Sequence, residues 1–239
     1  MTTWNVQTDA SDEEIKAFLK EYSPWRALIT FNKSISSETY ETYQPFNRTP
    51  LGKIQAAERH LPKSALSGDI LDIGFNCGYN SIYLASAYGA RPVGIENNTR
   101  HQKVATYLAE LSRVKAEFVI GDAENFVREN SFDLIVHFGT LYHLPNPMLS
   151  LASTARNLRP DGWLALETTA YIGGTGPKEN LWIYGFNGDK SNFWALSKPT
   201  IEEMLEVLGF TDIKLVTESF PPIYKGKMSR IIYVARKPR

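Results

Sequence analysis

The sequence predicts an α/β fold in which a largely parallel sheet carries helices on both faces. Three observations lead there. Between residues 69 and 168, short apolar runs alternate with helix-like segments. A glycine turn, Gly74 to Gly78, follows the first run. Polar residues then close one run after another: Glu96, Asp122, Gly139-Thr140 and Glu167-Thr168.

Each element has a local reason. Residues 11–22 begin with Ser11 as N-cap, place acids in the first turn and follow with Ile15, Phe18 and Leu19, which predicts a helix. Residues 23–50 form a mixed connector with Trp25, Phe31, Tyr40, Tyr43 and Phe46, and 51–61 form a helix running to Pro62. The strand 69–73 is buried, and a helix over 80–88 is capped by Asn80-Ser81. Strand 92–95 ends on Glu96, helix 98–112 follows, and strand 116–120 reaches Gly121-Asp122. A short helix over 123–128, strand 132–138 and helix 147–158 come next. Asp161-Gly162 then turns the chain into strand 163–168.

Residues 169–198 break the rhythm with several glycines and with Tyr171, Trp182, Tyr184 and Trp194. A long aperiodic segment this rich in aromatics is expected to be functional rather than disordered. Helix 200–208 stops at Gly209. Strands 212–218 and 230–236, joined through Pro221-Pro222, are expected to pair as an antiparallel hairpin at the sheet edge. Residues 1–65 thus form a helical cap or lid and 66–239 the main domain, with an aromatic-rich insertion at about 169–198.

Composition narrows the function classes. With 26 basic and 26 acidic residues the chain is formally neutral, which weakens a nucleic-acid proposal without excluding it. The single cysteine, Cys77, supports neither an internal disulfide nor a metal cluster. With no signal peptide or membrane-spanning run, a cytoplasmic protein is the expectation.

The turn is the most informative stretch. Asp72 precedes Gly74 by two residues, and the glycine spacing is G-x-x-x-G rather than the G-x-G-x-x-G of dinucleotide sites. Asp72 would repel a pyrophosphate and attract a sulfonium and an amino group. That favours S-adenosylmethionine. Glu96, about 20 residues on, suits ribose hydroxyls. Asp122 suits an exocyclic amine and the Ala123 N–H a ring nitrogen. Phe75, Asn76, Gly78, Asn97 and Phe138 complete the expected cofactor site.

Leu71-Asp72-Ile73-Gly74-Phe75-Asn76-Cys77-Gly78, Val93-Gly94-Ile95-Glu96, Gly121-Asp122-Ala123-Glu124, Phe132 to Val136, Leu141 to Pro147 and Leu158 to Leu164 together resemble the class I S-adenosylmethionine-dependent methyltransferases. The resemblance implies a Rossmann-like, seven-stranded, mostly parallel sheet with an antiparallel last strand. It also implies methionine against Gly74, ribose on Glu96 and adenine on Asp122-Ala123. Asn76 stands where many members have a middle glycine. More narrowly, Gly139 to His143 with Leu166-Glu167-Thr168 is similar to enzymes that alkylate the wobble uridine of tRNA. Those enzymes use a carboxylated cofactor held by basic residues.

His143, at the lip after the fourth strand, is the expected general base; holding its loop is the alternative role. His137 is expected in the core, and His60 and His101 without a role. Tyr22, Trp25, Tyr40, Tyr43, Tyr142, Glu167, Tyr171, Trp182, Tyr184 and Trp194 are the expected substrate side. The expected reaction is methyl transfer to a small aromatic or planar acceptor at O, N or C. A tRNA acceptor, with Lys225, Lys227, Arg230, Arg236, Lys237 and Arg239 as its basic surface, and a non-catalytic cofactor-binding module are the alternatives.

Overall fold

The computed structural model describes residues 4–25, 28–40, 50–174, 176, 178–217 and 226–239. Tyr43, Phe46, Pro221-Pro222 and Lys225 lie outside them. The N-terminal part contains β1 (Trp4–Val6), α1 (Asp12–Glu21), β2 (Ile29–Phe31), β3 (Ile35–Ser36), α2 (Pro50–Glu58) and α3 (Lys63–Leu66). Strands β1 to β3 form a small sheet of their own that sequence reasoning does not anticipate. Helix α1 starts where expected, because Ser11 and Glu14 close a reciprocal capping box.

The main sheet is built from β4 (Asp69–Ile73), β5 (Arg91–Glu96), β6 (Glu117–Ile120), β7 (Phe132–Phe138) and β8 (Leu158–Tyr171). Helices α4 (Tyr79–Tyr88), α5 (Thr99–Leu111) and α6 (Pro147–Asn157) lie between these strands in sequence. Strands β9 (Leu181–Trp182) and β10 (Trp194–Ser197) fall in the aromatic segment, before α7 (Lys198–Val207), β11 (Thr211–Thr217) and β12 (Met228–Arg236). The spatial order is β11-β12-β8-β7-β4-β5-β6. All the pairings from β6 across to β8 are parallel, while β12 runs antiparallel to both β8 and β11. The expected seven-stranded run with a reversed last strand is therefore present, and β10 and β9 add to it through β8.

Period-two alternation divides the core into two layers. Ile70, Leu134, Val136, Ala165, Ile232 and Val234 pack with α2 to α5. Leu71, Ile73, Ile135, Leu164, Leu166, Ile231 and Tyr233 pack with α6 and α7. Gly94 is a glycine because Phe75 and Phe118 approach its backbone; a Cβ there would sit 2.5 Å from the Phe75 ring. His137 is in the core as expected, with Nε2 2.9 Å from Ser150 Oγ, and burial lowers its pKa to about 4.

The expected antiparallel pair forms at the sheet edge: β11 is the edge strand and β12 lies between it and β8, so eight consecutive residues, Met228 to Ala235, are buried. Two other expectations need correction. Residues 123–128 form no helix: Asp122 Oδ1 accepts the Glu124 N–H at 2.9 Å and the Asp122 carbonyl accepts from Asn125 and Phe126, a local turn. Asn80-Ser81 do not cap α4. The helix starts one residue earlier, after left-handed Gly78, and buried Asp72 accepts from the Ser81 N–H and Oγ–H at 3.2 and 2.8 Å.

Candidate active site

The carboxyl ends of β4 to β8 open into one cavity of about 490 Å³. On its cofactor side the left-handed conformations of Gly74 and Asn76 fold the turn back on itself. A Cβ on Gly74 would meet Thr140 Oγ1, which bonds the carbonyls of Ile73 and Phe138 and so joins the tips of β4 and β7. Glu96 faces this turn. Its Oε2 accepts the Asn76 N–H and its Oε1 the Asn97 N–H, each at 3.1 Å. Burial pushes the Glu96 carboxyl up, but His101 and these two N–H groups outweigh it and hold the pKa below the usual value.

Gly74, Phe75, Asn76, Glu96, Asn97, Asp122, Ala123 and Phe138 all line the cavity, so the structure brings together most of the expected cofactor residues. Asp72 and Gly78 lie behind the wall. Asp72 is fully buried, and burial raises its pKa to about 6 against hydrogen bonds from Ser81. Its Oδ1 and the Oδ1 of Asn80, a cavity residue, are buried acceptors without a partner. Two orphaned acceptors beside a glycine turn fit an amino group, the chemistry that S-adenosylmethionine presents at its methionine end. Cys77 is also buried, and burial raises its thiol to about 12, which makes it inert.

On the other side Tyr142 and His143 line the cavity, but the remaining expected substrate aromatics among the described residues do not. Trp25 is core, 3% exposed, with Nε1–H donating to the Leu19 carbonyl. Tyr22 lies in a separate groove between α1 and α5, and Tyr40 packs on the core. Tyr171 packs beside Ile183 and Met228, while Trp182, Tyr184 and Trp194 cluster outside the cavity. The expected flat apolar pocket is therefore not assembled; the lip is polar, formed by His143, Thr140, Asp189 and Ser191.

Glu167 stands behind the cavity wall, fully buried. Arg230 grips it with both Nε and Nη2, and Lys53 Nζ lies 3.2 Å away. Burial pushes Glu167 up, but Arg230 and then Lys53 hold it well below the usual carboxylate range. Arg230 also stacks on Tyr142, with its Cζ 4.6 Å from the ring centroid. Lys53 and Arg230 line the cavity, two cations against one buried carboxylate.

Sequence reasoning missed Lys53, Arg230 and His101. Only the insertion of antiparallel β12 brings Arg230, near its N-terminal end, to the carboxyl edge of the sheet opposite Thr169. Lys53 arrives on α2, which nothing local connects to the site. His101 carried a usable signal, since the first turn of the helix after Glu96 must face the same edge; its Nδ1 lies 3.4 Å from Glu96 Oε2. Of the proposed basic tail, Arg230 is buried on Glu167, and Arg236 and Arg239 bond Asp161 at the far end of β12.

Residues 71–166 match the family described as a methyltransferase domain. The tRNA U34 carboxymethyltransferase of Desulfotalea psychrophila is 31% identical over 165 residues, which are 67% of this chain and 48% of that protein. The enzyme of the same name from Idiomarina loihiensis is 28% identical over 218 residues, 87% of this chain and 63% of that protein. The chain thus spans between about half and under two thirds of these relatives. Among solved structures, the N-terminal domain of EvdMO1 with SAH bound has a TM-score of 0.74 at 20% identity, covering 95% of this chain and 98% of that one. The [4+2]-cyclase SpnF has a TM-score of 0.63 at 18% identity, covering 79% and 80%. These likenesses bear out the fold and the resemblance to S-adenosylmethionine-dependent methyltransferases. They also show that the fold alone does not choose the reaction.

Proposed function

We propose that this chain is an S-adenosylmethionine-dependent alkyltransferase that acts on a hydroxyl oxygen, and that the hydroxyl belongs to a tRNA wobble uridine. The observation that carries the reaction is one cavity with Glu96, Asn76 and Asp122 on one side and His143 on the other. Gly74, Asn80 and Asp72 would hold the methionine end, Glu96 the ribose, and Asp122-Ala123 the adenine. When bound, the cofactor supplies an electrophilic carbon on a sulfonium whose thioether is the leaving group.

The chain's own task is to position the acceptor, exclude water and take a proton. His143 Nδ1 lies 3.0 Å from both the Ser191 carbonyl and Ser191 Oγ, and that hydroxyl donates to Asp189 Oδ1 at 2.6 Å. A carbonyl only accepts, and the Oγ proton is committed to Asp189, so Nδ1 carries the ring proton. The neutral ring then holds its lone pair on Nε2, which receives the proton that the acceptor hydroxyl loses. His143→Gln is expected to lower kcat by about 10²–10⁴. Calorimetric affinity for the demethylated cofactor should stay within about twofold, given that His143 is on the acceptor side. Full activity in that variant would leave His143 with only a loop-holding role.

Lys53 and Arg230 favour a further reading of the donor. An ordinary sulfonium cofactor gains nothing from two cations opposite one buried carboxylate. A cofactor whose transferred group ends in a carboxylate does, and the relatives are named carboxymethyltransferases. Mass spectrometry of the nucleoside that copurifies distinguishes the two donors. A small polar acceptor is the rival to tRNA, favoured by the formally neutral chain and its ion-paired C-terminal cations. Incubation with tRNA whose wobble uridine carries a free hydroxyl on its base and with either cofactor, followed by nucleoside mass analysis, decides. A methyl or carboxymethyl increment on uridine supports the RNA reading. Neither modification nor RNA binding at low ionic strength would defeat it.

A further inference from the structure

Among the described residues, Trp182 and Tyr184 are the aromatic side chains more than half exposed, at 54% and 52%. Two positions apart, their rings stack on each other with an offset, with planes 17° from parallel and centroids 6.1 Å apart. Trp194 braces Trp182 edge-on at 4.7 Å, and Phe193 contacts both rings at 5.7 and 5.8 Å. Rings that only cover a core are buried by it, whereas these leave about half of their surface to solvent.

The cluster is fixed to the lip of the cavity. The Phe193 N–H donates to the Tyr142 carbonyl at 2.8 Å and Trp194 Nε1–H to the Pro145 carbonyl at 3.2 Å. Ser191, two residues before Phe193, contacts His143 Nδ1. A ligand lying on Trp182 and Tyr184 is therefore held in register with the residue that takes the proton, yet outside the cavity that holds the cofactor.

We infer that Trp182 and Tyr184 are a stacking platform for an unpaired nucleobase next to the nucleotide that reacts. This rests on the RNA reading of the acceptor. Every base offers a flat face, and single-stranded loops are recognised largely by stacking on aromatic rings. The platform also answers a difficulty. A formally neutral chain with its C-terminal arginines in ion pairs gains less from phosphates than a basic one, so its hold on RNA needs a further source. Stacking supplies it without charge.

The test uses an anticodon stem-loop RNA and the full chain saturated with demethylated cofactor, with binding followed by anisotropy over a salt series. Trp182→Ala and Tyr184→Ala should each weaken binding about tenfold, whereas Trp182→Phe retains most of it. The slope of log affinity against log salt should not change, because no phosphate contact is lost. Unaltered cofactor affinity by calorimetry confirms that the cavity is intact. Wild-type affinity in both alanine variants overturns the platform and leaves the RNA reading standing. A flattened salt slope overturns it too, by assigning the surface to phosphate contact. Failure of the wild-type chain to bind at low salt removes the RNA reading and the platform with it.

Discussion

Replacing Arg230 by methionine is expected to destabilise the fold by about 3–5 kcal/mol at neutral pH. Methionine has the length to fill the site but leaves fully buried Glu167 facing Lys53 alone. Removing one partner of a buried pair strands the other charge, which costs far more than the intact pair contributes. The pH dependence identifies the cause. The Glu167 pKa is depressed in the folded chain, so its stabilisation is present above the unfolded value and is lost as pH falls through the folded one. Arg230→Met should therefore hurt most at neutral pH and progressively less below about pH 4, as the stranded carboxyl takes a proton. Urea midpoints at constant m-value across this range measure it. Adding Glu167→Gln should restore part of the loss, because the two residues share one network. A loss under about 1 kcal/mol, flat with pH, would mean that the pair is not coupled as the geometry indicates.

Asp72→Asn should move stability and binding in opposite directions. The Asp72 carboxyl is raised from 3.8 to about 6 on folding. Its contribution is thus fully present below the unfolded value and is lost as pH rises through 6, since the folded chain must then bury an unpaired charge. That shift corresponds to an upper bound of about 3 kcal/mol at pH 8. Asparagine keeps an acceptor for Ser81 and carries no charge, so the ligand-free protein should gain about 1–3 kcal/mol at pH 8 and nothing below about pH 4. Affinity for the cofactor should fall about 10–100-fold, because the charge that attracts its cationic end is gone. Thermal melts and calorimetry on one preparation read both effects. A variant that binds as tightly as the wild type would reduce Asp72 to a helix-capping residue.

The two variants probe opposite designs. Asp72 is a charge that burial disfavours and that the proposed cofactor contact would relieve, whereas Glu167 is a charge that the fold itself neutralises. Both are buried acids near the carboxyl edge of the sheet, and residue type alone does not separate them. Neighbours do: Ser81 offers Asp72 hydrogen bonds without charge, and Arg230 with Lys53 gives Glu167 two cations.

The sequence by itself determined the alternation of strands and helices from β4 to α5, the turn from Asp72 to Gly78, and the acids Glu96 and Asp122 at successive strand ends. These are local signals: period-two burial, caps, and glycine or asparagine in left-handed turns lie within a few residues of what they specify. It misjudged 123–128, because the side chain of Asp122 competes with helix for the backbone N–H groups that follow. Only the tertiary structure decided that β12 runs beside β8, that Lys53 and Arg230 converge on Glu167, that Trp25 is core, and that Trp182 and Tyr184 lie outside the cavity. These depend on which strands become neighbours and on which side of a loop meets solvent. Such contacts join residues tens to hundreds of positions apart, and no local pattern encodes them.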